Sequence, residues 1–352
     1  MPEPSTIEQL AESHRLAGSD LAVTFADPAR RDLPLVYVND AFCALTGYAR
    51  ERCIGRNCRF LQGRRTDPEA LSRVRAGIDA ESFRLTRLVN YRRDGEAFDN
   101  ALLLGPVRDV GGAPTLFFGM QWNLGDTLDW RASPAAAGWG ENRLEAQLER
   151  YEAIVARLYE RSVERGGEAV GPAFVERLMA VSRPHQYPPL QWVPNWTRAD
   201  HLMRYLVEPY GPGLGHRVDH EGGADILAAD VFTPVALAVH ELSRRFLALA
   251  EDEAEPPSVT VVSEARGRDG EPFYELLWRE SRAFCRDARD GEGARAAARR
   301  RSSEHGLALV REVAAHAGGR FETHADAGGL EAWLSVPNRP HLSLSDDPTS
   351  GA

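Results

Sequence analysis

The side chains best suited to chemistry are concentrated in nine residues, Gly55 to Gly63, with the sequence GRNCRFLQG. This segment holds one thiol, Cys58, the amides of Asn57 and Gln62, and two arginines. An amide can both donate and accept hydrogen bonds, and a guanidinium fork fits phosphate oxygens. Such a group could hold a flat, hydrogen-bonding, phosphate-tailed ligand beside a sulfur.

Short strands and helices must position this segment. Residues 21–26 (LAVTFA) and 33–38 (LPLVYV) have strand patterns, and helical spacing runs from Ala41 to Gly47 and from Pro68 to Ile78. Three strand-like runs follow, separated by the turn signals RRDG and VGGAP: Phe83 to Tyr91, Ala97 to Val107 and Thr115 to Asn123. Two strands, a helical middle and an antiparallel meander predict a PAS-type mixed α/β domain over residues 5–125.

Composition indicates a globular protein of more than one domain. A chain of 352 residues exceeds one ordinary core and predicts two or three domains. The formal net charge of −10 argues against nonspecific binding to nucleic acid or to an anionic membrane. The N-terminal residues lack the apolar core of a signal peptide, and no run of about 18 apolar residues could span a membrane. We therefore expect a cytoplasmic protein without nucleic-acid or membrane partners.

The cysteines and histidines indicate neither a disulfide framework nor a metal site. Cys43, Cys53, Cys58 and Cys285 have neither CxxC spacing nor disulfide density, so we expect free thiols. No metal-ligand spacing occurs among the histidines. Cys43 and Cys53 lack the motif that surrounds Cys58 and are predicted to be structural.

A linker and a helical region are expected over residues 126–199. The small-residue stretch 132–140, ASPAAAGWG, predicts the linker. The helix predicted from Glu141 to Arg165 favours a signalling helix that forms a homodimer, and a plain amphipathic helix packed on its own domain stays open. Its apolar residues follow the four-three spacing of a heptad seam: Leu144, Leu148, Tyr151, Val155 and Leu158.

The remainder of the chain predicts a second α/β domain over residues 200–337. A long apolar helix is predicted from Asp230 to Ala250, followed by strands at Ser258 to Ala265 and Phe273 to Glu280. A helix from Gly306 to Ala317 should end at the glycine pair 318–319, before two last strands. The polar stretch 338–352 predicts a disordered tail.

Over about a hundred residues, the first domain resembles the LOV domains of phototropins and bacterial light sensors. The resemblance rests on VYVNDAFCALTGYARERCIGRNCRFLQGRRTDPEALSRVRAGI, RLVNYRRDGEAFDNALLLGPV and LFFGMQWNL. It implies a PAS fold that binds a flavin and senses blue light, with Cys58 as the photoreactive cysteine.

The resemblance also implies which residues contact the flavin. Amides suit the ring's polar edge, and Gln62 would reach the ribityl chain or the phosphate. Arg59 and Arg75 match the family's two phosphate-pairing arginines, which favours FMN and leaves FAD open. The implied contacts are Asn57, Cys58, Arg59, Gln62, Arg75, Asn90, Asn100 and Gln121.

The mechanism implied by the resemblance is a reversible covalent switch. Under blue light the Cys58 sulfur adds to ring carbon C4a, and the neighbouring ring nitrogen changes from acceptor to donor. Gln121 must then reorient its amide, because an unmatched buried polar group costs about 1–3 kcal/mol. Trp122-Asn123 follows this Gln, where the family often has an apolar or small residue and Asp, so we expect a different coupling to the output.

Residues 142–336 resemble the HWE and related histidine kinases. The family hallmarks are His240-Glu241-Leu242 in a long helix and Trp278-Arg279-Glu280 on a later strand. The run beginning at Gly306 is similar to the start of the helix after the ATP lid. The resemblance implies dimerisation-type helices followed by a Bergerat (GHKL ATPase-like) α/β sandwich.

The residues that do the family's chemistry depart from its pattern. Arg245 stands where the family has the Asn that holds magnesium, and Ala248 stands where it has a Lys near the phosphates. An Arg offers no lone pair to magnesium and repels it. No histidine occurs between His14 and His185, so the phosphoacceptor is missing as well. These departures argue against bound ATP and magnesium.

Two hypotheses follow for the output half. The favoured one is a pseudokinase that keeps the fold and passes the light signal on by protein interaction or conformational change, because the ligands for magnesium and phosphate are lost. The alternative is a light-regulated, active sensor histidine kinase with an atypical phosphoacceptor. By analogy with the family, the partner is a response regulator or another signalling protein.

Overall fold

The computed structural model describes residues 21–108, 111–126, 151–159, 170–182, 196–210, 218–222, 225–250, 258–268, 270–280, 294–326 and 329–339. The chain divides into two compact units, Met1–Met179 and Ala180–Ala352. Within the described ranges, no helix is long and apolar enough to cross a membrane. The predicted linker at 132–140, Cys285 and most of the predicted tail lie outside them.

The first unit is built on a five-stranded antiparallel sheet. The strands are β1 (Ala22–Ala26), β2 (Leu35–Val38), β3 (Arg84–Tyr91), β4 (Ala97–Arg108) and β5 (Pro114–Asp126). They lie in the order β2-β1-β5-β4-β3. The first strand in sequence, β1, therefore pairs with the last, β5, in the interior of the sheet. The mixed α/β fold with a three-stranded meander is confirmed.

Three short helices cross between β2 and β3: α1 (Asp40–Thr46), α2 (Arg50–Cys53) and α3 (Pro68–Asp79). Asn39 begins α1, because its side-chain oxygen accepts hydrogen bonds from the backbone N–H groups of Phe42 and Val23. Gly47 ends the helix with φ +73°, a left-handed conformation that glycine adopts without steric cost. Asp67 begins α3 in the same way as Asn39, with Pro68 in the first helical turn.

The two faces of the sheet serve different purposes because side chains alternate along a strand. On β5, Phe117, Gly119 and Gln121 point to a pocket beside the three helices. The alternate residues Phe118 and Trp122 are almost fully buried on the opposite face. A single strand therefore connects the pocket to the packing on the far side of the sheet.

Two helices cover that far face, α4 (residues 151–159) and α5 (Val170–Ser182). The ring of Trp122 meets Tyr151 of α4 edge to face, with centroids 5.9 Å apart. Phe83 contacts Tyr159 of α4 and Phe174 of α5, with centroids 4.6 and 5.4 Å away. Aromatic rings of both helices therefore pack at this face of the sheet.

The structure describes part of the predicted heptad seam along residues 141–165, namely residues 151–159. Its described members, Tyr151, Val155 and Leu158, are at most 3% exposed within the chain's own first unit. The open alternative, an amphipathic helix packed on its own domain, therefore fits this stretch. Leu144 and Leu148 lie outside the described residues, and a homodimer through this helix stays a proposal.

The second unit also packs helices against a sheet. Its larger sheet has five strands: β7 (Val218–Gly222), β9 (Val259–Arg268), β10 (Glu271–Glu280), β11 (Arg320–Asp326) and β12 (Gly329–Pro337). They lie in the order β11-β12-β10-β9-β7, and separately β6 (Trp196–Arg198) pairs with β8 (Ile226–Ala228). Helices α6 (Ala199–Val207), α7 (Ala229–Ala250) and α8 (Ala294–His316) contact the larger sheet.

Helix α8 differs from its prediction at one end. It ends near the expected glycine pair, where Gly318 has φ +77°, but it begins at Ala294 instead of Gly306. Its first half, ARAAARRRSSEH, has no apolar stripe for periodicity to detect. The helix forms there because Ala and Arg are among the strongest helix formers.

Candidate functional site

A single turn of 3₁₀ helix, Cys58–Leu61, holds the predicted reactive segment. Asn57 begins the turn, because its Oδ1 accepts a hydrogen bond from the Arg59 backbone N–H at 3.0 Å. The other end of this amide donates to the Asp32 carbonyl at 2.6 Å. Asn57 therefore anchors the turn to the loop between β1 and β2, in addition to lining the pocket.

The segment forms one wall of a pocket that opens to the surface. Seven of the eight residues predicted to contact a flavin line this pocket: Asn57, Cys58, Arg59, Gln62, Asn90, Asn100 and Gln121. The eighth, Arg75, lies exposed on α3 and is not among the lining residues. Helix α3 nevertheless borders the pocket through Leu71, Val74 and Ile78.

The pocket also has an apolar lining, and its residues were not predicted from the sequence. Strand alternation could have identified the members on β3 and β4, since residues two apart share a face. The helical members follow the three-four spacing of an amphipathic helix. The apolar lining consists of Ala26, Leu33, Leu35, Leu71, Val74, Ile78, Leu88, Leu102, Leu104 and Phe117.

Three buried amides on the sheet line the pocket and form a chain of hydrogen bonds. The Asn100 Nδ2 atom donates to Asn90 Oδ1 at 2.8 Å and to Gln121 Oε1 at 3.2 Å. All three side chains are at most 4% exposed. Strands β3, β4 and β5 bring them together, although they are 10 and 21 residues apart in sequence.

This amide chain has hydrogen-bonding capacity left over. The Asn100 Oδ1 and Gln121 Nε2 atoms are buried and have no partner within the protein. A buried polar group without a partner costs about 1–3 kcal/mol, so one free acceptor and one free donor here indicate a ligand. A flat group with an apolar end and a hydrogen-bonding edge, such as the flavin expected from the sequence, fits this pocket.

Cys58 lines the pocket as a half-buried thiol. Burial raises its pKa from 9.0 to about 12, and the neighbouring Cys53 adds a smaller contribution in the same direction. At neutral pH the sulfur therefore carries its proton. Cys53 itself is fully buried against Val38 and Phe42, as expected of a structural cysteine.

Arg59 lies at the mouth of the pocket and is engaged by an acidic residue. Its Nη1 atom lies 2.6 Å from the Asp32 carboxylate, and both side chains are more than half exposed. The carboxylate belongs to the loop between β1 and β2, whose next residue, Leu33, lines the pocket. No sequence pattern indicated this ion pair, because the two residues are 27 positions apart.

In the second unit, Arg245 occupies the position expected for a magnesium ligand and is held by a buried carboxylate. The Arg245 guanidinium forms a short ion pair with Glu280, and the Trp278 indole N–H donates to the same carboxylate at 3.1 Å. Glu280 is about 1% exposed, and burial raises its pKa, while the Arg245 charge opposes that rise. An ion pair thus joins Arg245 on α7, three residues after the His240-Glu241-Leu242 hallmark, to Glu280 of the second hallmark.

The remaining hallmark residues also have structural contacts. His240 Nδ1 lies 2.5 Å from the hydroxyl of Tyr210. Gly306 lies inside α8 and not at its start, at a point where any Cβ atom would overlap the carboxylate of Glu241 on α7. Gly306 therefore permits the close approach of α7 and α8. Among the described residues, no cluster of His, Cys, Asp or Glu side chains could hold a metal ion.

Comparison with known proteins relates both halves of the chain to light-sensing kinases. Residues 24–121 match the PAS domain family. Blue-light-activated histidine kinase 1 of Erythrobacter litoralis is 31% identical over 329 residues, which is 90% of this chain and 86% of that protein. The blue-light-activated histidine kinase of Rhizobium johnstonii is 31% identical over 69% of this chain and 71% of its own length.

A solved structure shares the fold. The Erythrobacter litoralis EL346 blue-light activated histidine kinase has a TM-score of 0.61 and covers 93% of this chain and 98% of its own, at 22% identity. At that identity the likeness concerns the fold alone. The sequence similarity to the kinases from Erythrobacter and Rhizobium shows the family: the chain belongs to the blue-light-activated histidine kinases, in which a PAS domain of the LOV type is fused to a histidine-kinase-like unit.

Proposed function

We propose that this protein is a blue-light photoreceptor in which Cys58 forms a reversible covalent bond with carbon C4a of a bound flavin. The observation that carries the proposal is the buried amide chain, which leaves Asn100 Oδ1 and Gln121 Nε2 unpaired in the pocket that Cys58 lines. When bound, the flavin supplies the absorption of blue light and an electrophilic ring carbon.

The chain's own residues prepare the thiol for this reaction. Because its pKa is raised to about 12, Cys58 enters the reaction as a thiol and brings its own proton. A bound flavin would supply an electrophilic ring carbon for the sulfur and a neighbouring ring nitrogen for the thiol proton, and Cys58 would hold both the sulfur and the proton in the pocket.

Gln121 is the residue that detects the change. Its Oε1 is engaged by Asn100, and its Nε2 is free to donate to the ring nitrogen before illumination. With a proton on that nitrogen, the Gln121 amide would have to turn to offer its oxygen, since a mismatched buried pair is costly. The turn also disturbs the hydrogen bond from Asn100.

We infer that FMN is the cofactor. Arg59 at the pocket mouth and Arg75 on the exposed side of α3 are the two cations for its phosphate, and Gln62 lines the same end. FAD, whose phosphates are linked to a nucleotide, stays the alternative. Heat release of the flavin from purified full-length protein, followed by chromatography, distinguishes the two. We expect FMN, and a preparation without any flavin would contradict the photoreceptor assignment.

The signal leaves the pocket through the sheet in this proposal. Trp122 follows Gln121 directly and packs on Tyr151 of α4 on the opposite face. Next to it, the Glu152 carboxylate accepts a hydrogen bond from the Leu85 backbone N–H of edge strand β3 at 2.8 Å. A shift of β5 would therefore act on α4 at Tyr151, next to the residue through which β3 holds the same helix.

For the output half we propose a pseudokinase. Arg245 brings a positive charge to the place where the family has its magnesium ligand, and Glu280 already neutralises it. A second cation would be repelled by Arg245 and would find Glu280 engaged. The unit would then act on a response regulator or another signalling protein through conformational change.

Membership of a kinase family supports the alternative of an active histidine kinase with an atypical phosphoacceptor. Radiolabelled ATP given to lit and dark protein with magnesium separates the two possibilities. We expect no label on the protein in either state. Light-dependent labelling that survives purification would contradict the pseudokinase proposal and leave the photoreceptor proposal standing.

The proposed location, domain bounds and self-association are those expected from the sequence. We expect a cytoplasmic protein whose sensor occupies residues 5–125, whose linker and helices occupy 126–199, and whose kinase-like domain occupies 200–337. Self-association through residues 141–165 would use faces other than the buried seam at Tyr151, Val155 and Leu158.

A further inference from the structure

At the mouth of the pocket, Arg59 is paired with a carboxylate, that of Asp32, which has no role in holding a flavin. Among the residues that line the pocket, Arg59 is the one cation, and both oxygens of Asp32 lie 2.6 Å from its Nη1 atom. A phosphate needs the same guanidinium. The Asp32 carboxylate therefore pairs with the same Arg59 guanidinium that the phosphate of a flavin would bind.

The backbone holds Asp32 in this position at some cost. Asp32 has φ +74° and the following Leu33 has φ +46°, a left-handed conformation that is uncommon outside glycine. Asn57 stabilises the turn by donating to the Asp32 carbonyl. The loop is thus fixed to the same short helix that carries Cys58 and Arg59.

The charge of Asp32 affects whether the pocket prefers a flavin with a phosphate or one without. A phosphate monoester carries about two negative charges near neutral pH. Arg59 and Arg75 would balance them, and Asp32 leaves one negative charge in excess. Riboflavin has the same ring and ribityl chain without the phosphate, so the Asp32 charge does not oppose it.

We propose that Asp32 is a specificity-determining residue of the flavin site: it competes with the flavin phosphate for Arg59 and lowers the preference for FMN over riboflavin. This inference rests on the proposed flavin-binding function and adds to it the residue that sets how strongly the phosphate is recognised. Since the ion pair is exposed, the expected effect is moderate.

The test compares Asp32→Asn with wild type. Asn has the same shape without the charge and also tolerates the left-handed conformation, so the loop should be kept. Full-length protein is dialysed to equilibrium in the dark against an equimolar excess of FMN and riboflavin, and the bound flavins are extracted and separated. We expect the bound ratio of FMN to riboflavin to rise roughly threefold, the effect of one exposed ion pair.

Asp79→Asn provides the matched control, because Asp79 is an exposed aspartate at the end of α3 in the same unit. Its bound ratio should equal that of wild type. Salt of about 0.5 M should also shrink the effect of Asp32→Asn, since the charges are exposed.

The outcomes separate this inference from the proposed function. If wild type binds flavins and Asp32→Asn leaves their ratio unchanged, or if Asp79→Asn changes it equally, the role of Asp32 is wrong and the flavin site stands. If wild type retains neither flavin, the proposed function fails and this inference fails with it.

Discussion

The indole ring of Trp122 meets the phenol ring of Tyr151 edge to face, with an angle of 88° between the ring planes. Trp122 directly follows Gln121 on β5, and the two side chains lie on opposite faces of the sheet. One residue thus lines the proposed flavin pocket, and its neighbour contacts a helix that lies beyond the sheet. Trp122, one of the two residues that depart from the LOV pattern, thus links the strand of the pocket to α4.

We predict that Trp122→Ala disconnects α4 from the photoreaction. The edge-to-face pair contributes about 0.5–1.5 kcal/mol beyond the apolar area it buries, and the variant removes that link without touching the pocket. Light should still bleach the flavin, while the light-induced change in hydrogen exchange over residues 151–159 should disappear.

Met120→Leu is the control for that experiment, because Met120 is buried on the same strand and the exchange conserves volume. It should keep the light-induced exchange change of wild type. An unchanged light response in Trp122→Ala would show that the signal leaves β5 by another contact.

We predict a different phenotype for Gln121→Leu. Leucine has no amide to reorient, and it also removes the acceptor of the Asn100 hydrogen bond, at a cost of about 1–3 kcal/mol. The bleached state should therefore form, but the exchange change over residues 151–159 should fall to a small part of the wild-type value. Gln121→Glu offers the comparison, since it keeps the oxygen that accepts from Asn100. A full light response in Gln121→Leu would exclude the amide as the detector.

The pKa of Cys58 predicts how stability depends on pH. The folded protein keeps this thiol protonated up to about pH 12, whereas a free thiol ionises near 9.0. Because the folded-state pKa is raised, the contribution of the buried thiol is complete below pH 9.0 and is lost as the pH rises from there towards 12. The difference in unfolding free energy between wild type and Cys58→Ala should shrink between pH 8 and about pH 11.

Urea unfolding at the two pH values measures this difference. Cys53, whose pKa is raised to about 11 mainly by burial, contributes to both proteins and cancels in the subtraction. A difference that stays constant with pH would mean that the Cys58 thiol is solvated in the folded protein and that its pKa is not raised.

The Arg245–Glu280 ion pair predicts a loss of stability in the output unit. Arg245→Met leaves Glu280 buried without its counter-charge, which should cost about 3–5 kcal/mol. Arg279→Met is the control, because the Arg279 side chain on β10 is 54% exposed and pairs at 2.6 Å with Glu331, which is 48% exposed. That control should cost less than about 1 kcal/mol. Equal thermal shifts for the two variants would contradict the structural role of Arg245.

The sequence predicted the parts of the fold that depend on local patterns. Strand alternation and turn residues located β3, β4 and β5, and family motifs named the amides that the sheet brings together. The heptad spacing of Tyr151, Val155 and Leu158 correctly indicated a helix but could not tell what covers its apolar face. That partner is the sheet of the first unit: Trp122 and Phe83 precede their contacts Tyr151 and Tyr159 by 29 and 76 positions. Periodicity carries no information about such distant contacts.

The rest of the site depends on contacts between distant residues. The Asp32–Arg59 ion pair joins two polar residues that look ordinary in sequence, and only the positive φ of Asp32 and Leu33 brings the carboxylate to the pocket mouth. Similarly, the sequence placed Arg245 where the resembled kinase family has a magnesium ligand, but it did not indicate the ion pair between Arg245 and the buried Glu280.

The central claim is that Cys58 reacts with a bound flavin under blue light, and the most direct test is the visible absorption of three proteins before, during and after illumination. Wild type and Cys53→Ala should be yellow, bleach under blue light and recover in darkness, because Cys53 lies in the core and does not line the pocket. Cys58→Ala should bind the flavin and stay unbleached. Reversible bleaching in Cys58→Ala, or its loss in Cys53→Ala alone, would contradict the assignment of Cys58 as the reactive cysteine.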